Sequence, residues 1–132
     1  MDNNKTVHLA DDDEDDRMLF KEALQEANPG VTVVESQSGK ELIENIKNAD
    51  DLDDTIVVVD MNMPKMNGIE TIKAIRDDKD IADVPTVMLS TSNNPDLKKK
   101  ALEAGATDYF TKPNSFIALI DIAKKIFFKF FS

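Results

Sequence analysis

Ile56-Val57-Val58-Val59-Asp60-Met61-Asn62-Met63-Pro64-Lys65-Met66-Asn67-Gly68 is the stretch around which the chain is organised. Four β-branched residues in succession read as a strand buried on both faces. The run then stops at a carboxylate, followed by a loop bearing Pro64 and Gly68. Asp60 is thereby expected where a buried strand surfaces. In an open α/β sheet, the crevice beyond the carboxyl ends of the strands is where ligands and chemistry are placed.

The bulk numbers bound the rest. The 132 residues fit one domain with one core. There is no cysteine, which rules out disulfides and thiolate metal sites. No basic-then-apolar leader opens the chain, and no apolar run approaches the ~20 residues of a membrane span, so the expected location is the cytoplasm. Against 26 Asp and Glu stand 16 Lys and Arg, a net charge of −10 that repels phosphate backbones and disfavours nucleic-acid binding. Six of the acids are consecutive, at 11–16, and a second cluster comprises Asp50, Asp51, Asp53 and Asp54.

Outward from the central strand, the chain alternates. Residues 6–10 form a β-type run, and a helix is expected from Glu14 with Met18, Leu19, Ala23, Leu24 and Ala27 on its apolar side, ended by Asn28-Pro29-Gly30. Residues 31–35 read as a second strand, and Ser38 with Glu41 caps a helix carrying Leu42, Ile43 and Ile46. After the strand at 55–60, a helix from about Gly68 turns Ile69, Ile72 and Ile75 inward. Residues 85–90 form a fourth strand, Pro95 opens a helix stopped by Gly105, residues 107–111 form a fifth strand, and a Phe-rich helix runs from Ser115 to the terminus. Five strands alternating with five helices imply right-handed crossovers and a parallel sheet covered on both faces. The last helix has so narrow a polar stripe (Asp121, Lys124, Lys125, Lys129) that apolar area is expected to be left over.

Functional groups sit at the strand ends: Asp11 and Asp12, Asp60, Ser90 and Lys112. In a sheet ordered 2-1-3-4-5, strands one and three are neighbours and the three carboxylates converge. Each like-charged pair at about 5 Å costs roughly 3 kcal/mol at an effective dielectric near 20, so the cluster calls for a cation. Oxygen-only donors favour Mg²⁺ or Mn²⁺. A carboxylate beside a hard dication and a lysine ammonium can attack a phosphoryl group and become an aspartyl phosphate.

These features together resemble the receiver domains of two-component response regulators. The match comprises the acidic pair after strand one, Asp60 with Met63-Pro64 and Gly68, Ser90, Gly105-Ala106, Tyr109 and Lys112-Pro113. The resemblance implies a flavodoxin-like, doubly wound (βα)5 fold with a five-stranded parallel sheet, and the order 2-1-3-4-5 is taken from it. It implies that Asp60 is the phosphoacceptor, that Asp11, Asp12, Asp60 and the backbone carbonyl of Asn62 hold Mg²⁺ or Mn²⁺, and that Lys112 binds phosphoryl oxygens, positioned by a cis bond to Pro113. Ser90 and Tyr109 would form the switch pair, and Asn62 and Ser92 lie where the family tunes acyl-phosphate lifetime. Two points stay open: Asp13 could replace a neighbour as ligand, and Thr91 could share the role of Ser90. The single-domain form and acidic opening are also similar to receivers that serve phytochrome-type kinases.

Each residue has a plainer reading. An Asp at a strand end is commonly a turn or helix cap, Lys112 alone would be surface, Tyr109 alone a half-buried strand aromatic, and mid-strand His8 structural. The alternating acids at 11, 13 and 15 suggest a calcium loop, but the sixth position holds Asp16 where that loop needs Gly for its sharp turn. Clustered methionines at 61, 63 and 66 are packing rather than a soft-metal site. A phosphatase of the haloacid dehalogenase type also ends a strand on a nucleophilic Asp, but it needs a second acid where Asn62 stands.

The expectation is one receiver domain over 1–132 without an output domain. It would take a phosphoryl group on Asp60 from a histidine kinase or a histidine phosphotransfer protein, with no turnover beyond slow autodephosphorylation. Output would pass through helix four, strand five and helix five to a protein target or a second copy. The competing class is a receiver-fold interaction module that works without phosphorylation.

Overall fold

The computed structural model describes residues 5–131. Five strands and five helices alternate: β1 (Thr6–Ala10), α1 (Glu14–Ala27), β2 (Thr32–Ser36), α2 (Gly39–Lys47), β3 (Thr55–Asp60), α3 (Gly68–Asp77), β4 (Thr86–Ser90), α4 (Pro95–Ala104), β5 (Asp108–Thr111) and α5 (Phe116–Phe131). The strands form one parallel sheet in the order β2-β1-β3-β4-β5. The reversal in strand order falls between β1 and β3, so their ends, at Ala10 and Asp60, open on one crevice.

The β-branched run of β3 is buried along its whole length, and its side chains alternate between two cores. Val57 and Val59 join Leu42, Ile46, Ile72, Ile75 and Met88 beneath α2, α3 and α4. Ile56 and Val58 join Leu9, Phe20, Leu24, Ile122 and Ile126 beneath α1 and α5. Both sheet faces are thus sealed, which is why β3 carries no polar residue between Thr55 and Asp60. Ser38 and Asn67 cap α2 and α3, the latter through a reciprocal capping box with Glu70.

Several expectations change. The inward face of α1 is Arg17, Phe20, Ala23 and Leu24, whereas Met18 and Leu19 are 49% and 43% exposed. Three-and-four spacing fits either set, and only the position of the sheet selects Phe20. β2 runs one residue later than the apolar pattern, because its register is set by pairing Ala10 with Ser36, and β5 starts at Asp108. On α4, Leu102 is turned to solvent. The surplus on α5 is largely absorbed: Leu119, Ile120, Phe127, Phe130 and Phe131 pack against the α1 side, and Lys5 lies 5.1 Å over the Phe131 ring. Ile117 and Phe128 stay outside at 74% and 77% exposure. Among the described residues, no helix is long and apolar enough to cross a membrane.

Arg76 ties the far ends of α3 and α4 together. Its guanidinium donates to the carbonyls of Gly105 (2.9 Å), Ala82 (2.8 Å) and Val84 (2.7 Å). Gly105 has φ of 115°, and a Cβ there would press on the Arg76 stem. Arg76→Met keeps the stem and strands three carbonyls, so it is expected to lower the free energy of unfolding by about 2–4 kcal/mol in urea denaturation.

His8 is 3% exposed and its Nδ1 has no partner among the described residues. Burial holds its pKa below the ordinary histidine value. The unfolded chain then takes up the proton first, so this contribution to stability is present above about pH 6.5 and is lost as pH falls below it. His8→Leu should remove that component: the thermal midpoint of the variant, measured against wild type, is expected to rise in relative terms from pH 7 to pH 5.

Candidate functional site

The crevice is built from four loop entrances. β3 ends on Asp60, 5% exposed, and the next turn folds back over it. The Asn62 N–H donates to Asp60 Oδ2 at 3.1 Å, and the Gly68 N–H donates to the Met61 carbonyl at 2.9 Å. A Cβ at Gly68 would lie 2.7 Å from the Asp60 carbonyl oxygen, so only glycine lets α3 start this close to the carboxylate.

Lys112 enters from the end of β5. Its backbone N–H donates to the Ser90 carbonyl at 2.7 Å, and its Nζ lies 2.9 Å from Asp60 Oδ1 and 3.1 Å from Asp11 Oδ2. No cis peptide bond occurs among the described residues, so the bond to Pro113 is trans and the expected cis arrangement is corrected. The β4–β5 pairing carried on by the Lys112 N–H, together with the two carboxylates, sets the lysine's direction without it.

β1 delivers Asp11 and Asp12. Asp11 is buried, Asp12 is exposed, and carboxylate oxygens of Asp11, Asp12 and Asp60 lie within 4.8 Å of one another. Asp13 is used differently: it is the N-cap of α1, and its side chain accepts the Asp16 N–H at 3.1 Å. Its own N–H donates to Asp11 Oδ1 at 3.0 Å, which orients the buried acid. Two contributors were not singled out from sequence. Asp16 Oδ2 is a third, longer partner of Lys112 at 3.4 Å. Arg17, on the buried face of α1, donates to the Asp11 carbonyl at 2.7 Å and to Glu35 at 3.0 Å, so it anchors the loop that carries the acids. The available signal was a basic residue directly after six acids.

The electrostatics follow from burial. Desolvation pushes Asp60 up to about 6; the Lys112 hydrogen bond pulls it down, and the Asp11 charge adds to the rise. Asp11 is raised as well, again chiefly by burial. Burial acts in the opposite sense on the Lys112 ammonium, but Asp60 and Asp11 outweigh it and hold its pKa above the ordinary lysine value. One ammonium therefore serves two buried carboxylates, while Asp12 and the second oxygens of the acids remain for another cation. The donor set is all oxygen, which fits a hard dication.

Ser90 and Tyr109 are linked through one loop residue. The Ser90 Oγ accepts the Ser92 N–H at 3.1 Å, and the Tyr109 hydroxyl donates to the Ser92 carbonyl. Tyr109 is 7% exposed and packs in the core beneath α2, α3 and α4, while Thr91 is exposed. Beside the acids, a cavity of about 150 Å³ opens between α1 and α5, lined by Leu19, Phe20, Leu89, Phe116 and Leu119 and closed at one end by Asp60 and Lys112.

Comparison with known proteins meets this geometry. The response regulator receiver domain model matches residues 7–124. Two-component response regulator ORR3 of Oryza sativa is 30% identical over 81% of this chain and 79% of its own length. The chemotaxis protein CheY homolog of Campylobacter jejuni is also 30% identical, over 80% of this chain and 78% of its own. The sensor histidine kinase CheAY of Helicobacter pylori is 30% identical over 90% of this chain, which spans only 14% of that protein, and it spans 46% of YdfI of Bacillus subtilis. Among solved structures, the phosphorylated cyanobacterial phytochrome response regulator RcpA superposes with a TM-score of 0.85 at 29% identity, over 98% of this chain and 95% of its own. CheY4 of Vibrio cholerae gives 0.78 at 28%, over 93% and 98%. With a flavodoxin-like (βα)5 fold and a strand-end acid cluster, the chain belongs to the receiver domain family of two-component response regulators.

Proposed function

We propose that this receiver accepts a phosphoryl group on Asp60 from a phosphohistidine and passes the signal on by a change of surface. The observation that carries the reading is the Asp60 carboxylate at the mouth of β3, 2.9 Å from the Lys112 ammonium and grouped with the oxygens of Asp11 and Asp12. A carboxylate oxygen of Asp60 attacks phosphorus as the phosphorus–nitrogen bond to the imidazole breaks, and the leaving imidazole takes up a proton. Lys112 pairs with the phosphoryl oxygens, and Ser90 donates its hydroxyl to one of them. Asp11, Asp12, Asp60 and the Asn62 carbonyl would hold Mg²⁺ or Mn²⁺, which when bound supplies positive charge to the transferring oxygens.

The Ser92 link supports a route outward. Turning Ser90 towards the phosphoryl group takes its Oγ from the Ser92 N–H, and the Ser92 carbonyl is where the Tyr109 hydroxyl is held. The loop before α4, the ring on β5 and the adjoining helices α4 and α5 would then move as one surface, read by a downstream protein or a second copy. The likeness to a phosphorylated phytochrome response regulator supports a histidine kinase of that class, or a phosphotransfer protein, as donor.

Incubation with Mg²⁺ and a small phosphodonor tests the reading. A base-labile gain of one phosphoryl group in wild type, absent after chelation, is the expected result. An unmodified wild type would favour the phosphorylation-independent interaction module, and turnover of small phosphomonoesters would favour the phosphatase.

A further inference from the structure

The cavity between α1 and α5 has no part in the transfer step beside it. Leu9, Val58 and Leu89, the last apolar residues of β1, β3 and β4 on that face of the sheet, form its floor, and Phe20 of α1 and Leu119 of α5 form its walls. Leu19 and Phe116, both partly exposed, stand at its rim. Close-packed interiors leave few voids larger than a water molecule, so about 150 Å³ of apolar space is unusual in a domain of this size. A cavity of that volume, lined by aliphatic and aromatic side chains, holds one benzene ring.

The charged groups at its inner end decide what such a ring must carry. Asp11, Asp16 and Asp60 border the cavity, with Lys112 as the one cation among its lining residues. An ammonium has three N–H groups, and three carboxylates already surround this one, at 3.1 Å (Asp11), 3.4 Å (Asp16) and 2.9 Å (Asp60). Lys112 is therefore taken, and the charge of −10 on the chain repels an anionic ligand further. Three carboxylates against one ammonium leave the cavity short of positive charge. A second ammonium, carried by the ligand, supplies that charge and finds acceptors for its own N–H groups.

We propose that this cavity binds a small arylalkyl amine, with the aromatic ring between α1 and α5 and the ammonium against the carboxylates of Asp16 and Asp11. The inference rests on the reading of the acids as a cation site, because the ligand's ammonium and Mg²⁺ then answer the same excess of negative charge. Each weakens the binding of the other by the same factor. The amine thus becomes a second input to the receiver: it holds back the Mg²⁺-dependent modification of Asp60 and yields as Mg²⁺ rises.

Titration of the full chain with 2-phenylethylamine, followed by methyl NMR, tests this. Shifts are expected at Leu9, Leu89 and Leu119 and not at Leu102 on α4, with a Kd between about 0.1 and 1 mM. The neutral isostere 2-phenylethanol should bind at least about tenfold more weakly, and 3-phenylpropanoate not at all. Saturating Mg²⁺ should raise the Kd of the amine at least about fivefold, and saturating amine that of Mg²⁺ equally. Asp16→Asn, an exposed position, should weaken the amine about three- to tenfold while Mg²⁺ affinity stays within about threefold. Absence of methyl shifts at about 10 mM amine, shifts centred elsewhere, equal binding of the alcohol, or an amine Kd indifferent to Mg²⁺ or to Asp16→Asn would overturn the proposal. Calorimetry of Mg²⁺ binding without the amine separates the two failures: a chain that binds Mg²⁺ but not the amine keeps the cation site and loses the cavity ligand.

Discussion

Lys112→Ala is expected to lower the rate of Asp60 phosphorylation by a small phosphodonor about 10²- to 10³-fold while leaving the fold intact. Nζ lies 2.9 Å from Asp60 Oδ1 and is the only ammonium or guanidinium that pairs with it among the described residues. Its loss removes a preorganised charge from the oxygens on which negative charge collects, and deletion of one such group in a water-poor site costs on that order. It also leaves Asp11 and Asp60 buried without a countercharge. Metal-free Lys112→Ala should therefore be less stable than wild type and recover more on addition of Mg²⁺. Intact-mass time courses measure the rate, and urea denaturation with and without the dication measures the stability. A rate within about threefold of wild type would place Lys112 outside the transfer step.

The second large effect has the opposite sign for stability. Asp60→Asn is expected to raise the free energy of unfolding of the metal-free protein at pH 7.5 by about 1–3 kcal/mol. Burial and the Asp11 charge move the Asp60 carboxyl from 3.8 to about 6 even against the pull of Lys112. A raised carboxyl pKa means that the folded state holds the proton more tightly than the unfolded one. The cost of ionisation then grows as pH rises through about 4 to 6 and is complete above it. A tenfold difference in proton affinity between the two states corresponds to about 1.4 kcal/mol; the neutral amide escapes that cost, although it gives up the ion pair with Lys112. The advantage should fade as pH falls from 7.5 to 4. Mg²⁺ should stabilise wild type more than the variant, because one of the three carboxylates is gone. Urea denaturation at several pH values with chelator or Mg²⁺ measures this; a variant less stable than wild type at every pH would contradict it.

What the sequence made legible was whatever depends on the period of two and on abrupt changes of polarity. Ile56 to Val59 had to be a doubly covered strand, and the residues that end strands, Asp60, Ser90 and Lys112, had to gather at one edge of a parallel sheet. Choices made by tertiary contact were hidden. Leu19 and Phe20 compete for the inner face of α1, and only the approach of β1 and α5 decides for Phe20. Arg17 looks like an ordinary helix-surface cation until its hydrogen bond to the Asp11 carbonyl is seen. Within the six acids the division of labour shows only in the capping: Asp13 is occupied by the Asp16 N–H, and Asp11 and Asp12 are grouped with Asp60. The Lys112–Pro113 bond was expected in the cis form on resemblance alone and is trans. The link that Ser92 makes between Ser90 and Tyr109, through its N–H and its carbonyl, has no signature in the sequence.

The most direct measurement is chemical trapping of the acyl phosphate. After reaction with a small phosphodonor and Mg²⁺, borohydride reduces an aspartyl phosphate to homoserine, and peptide mass spectrometry then reads its position. The account predicts homoserine at position 60 and nowhere else in wild type, and none in Asp60→Asn. Conversion at Asp11 or Asp12 instead, or equal conversion in the variant, would contradict it.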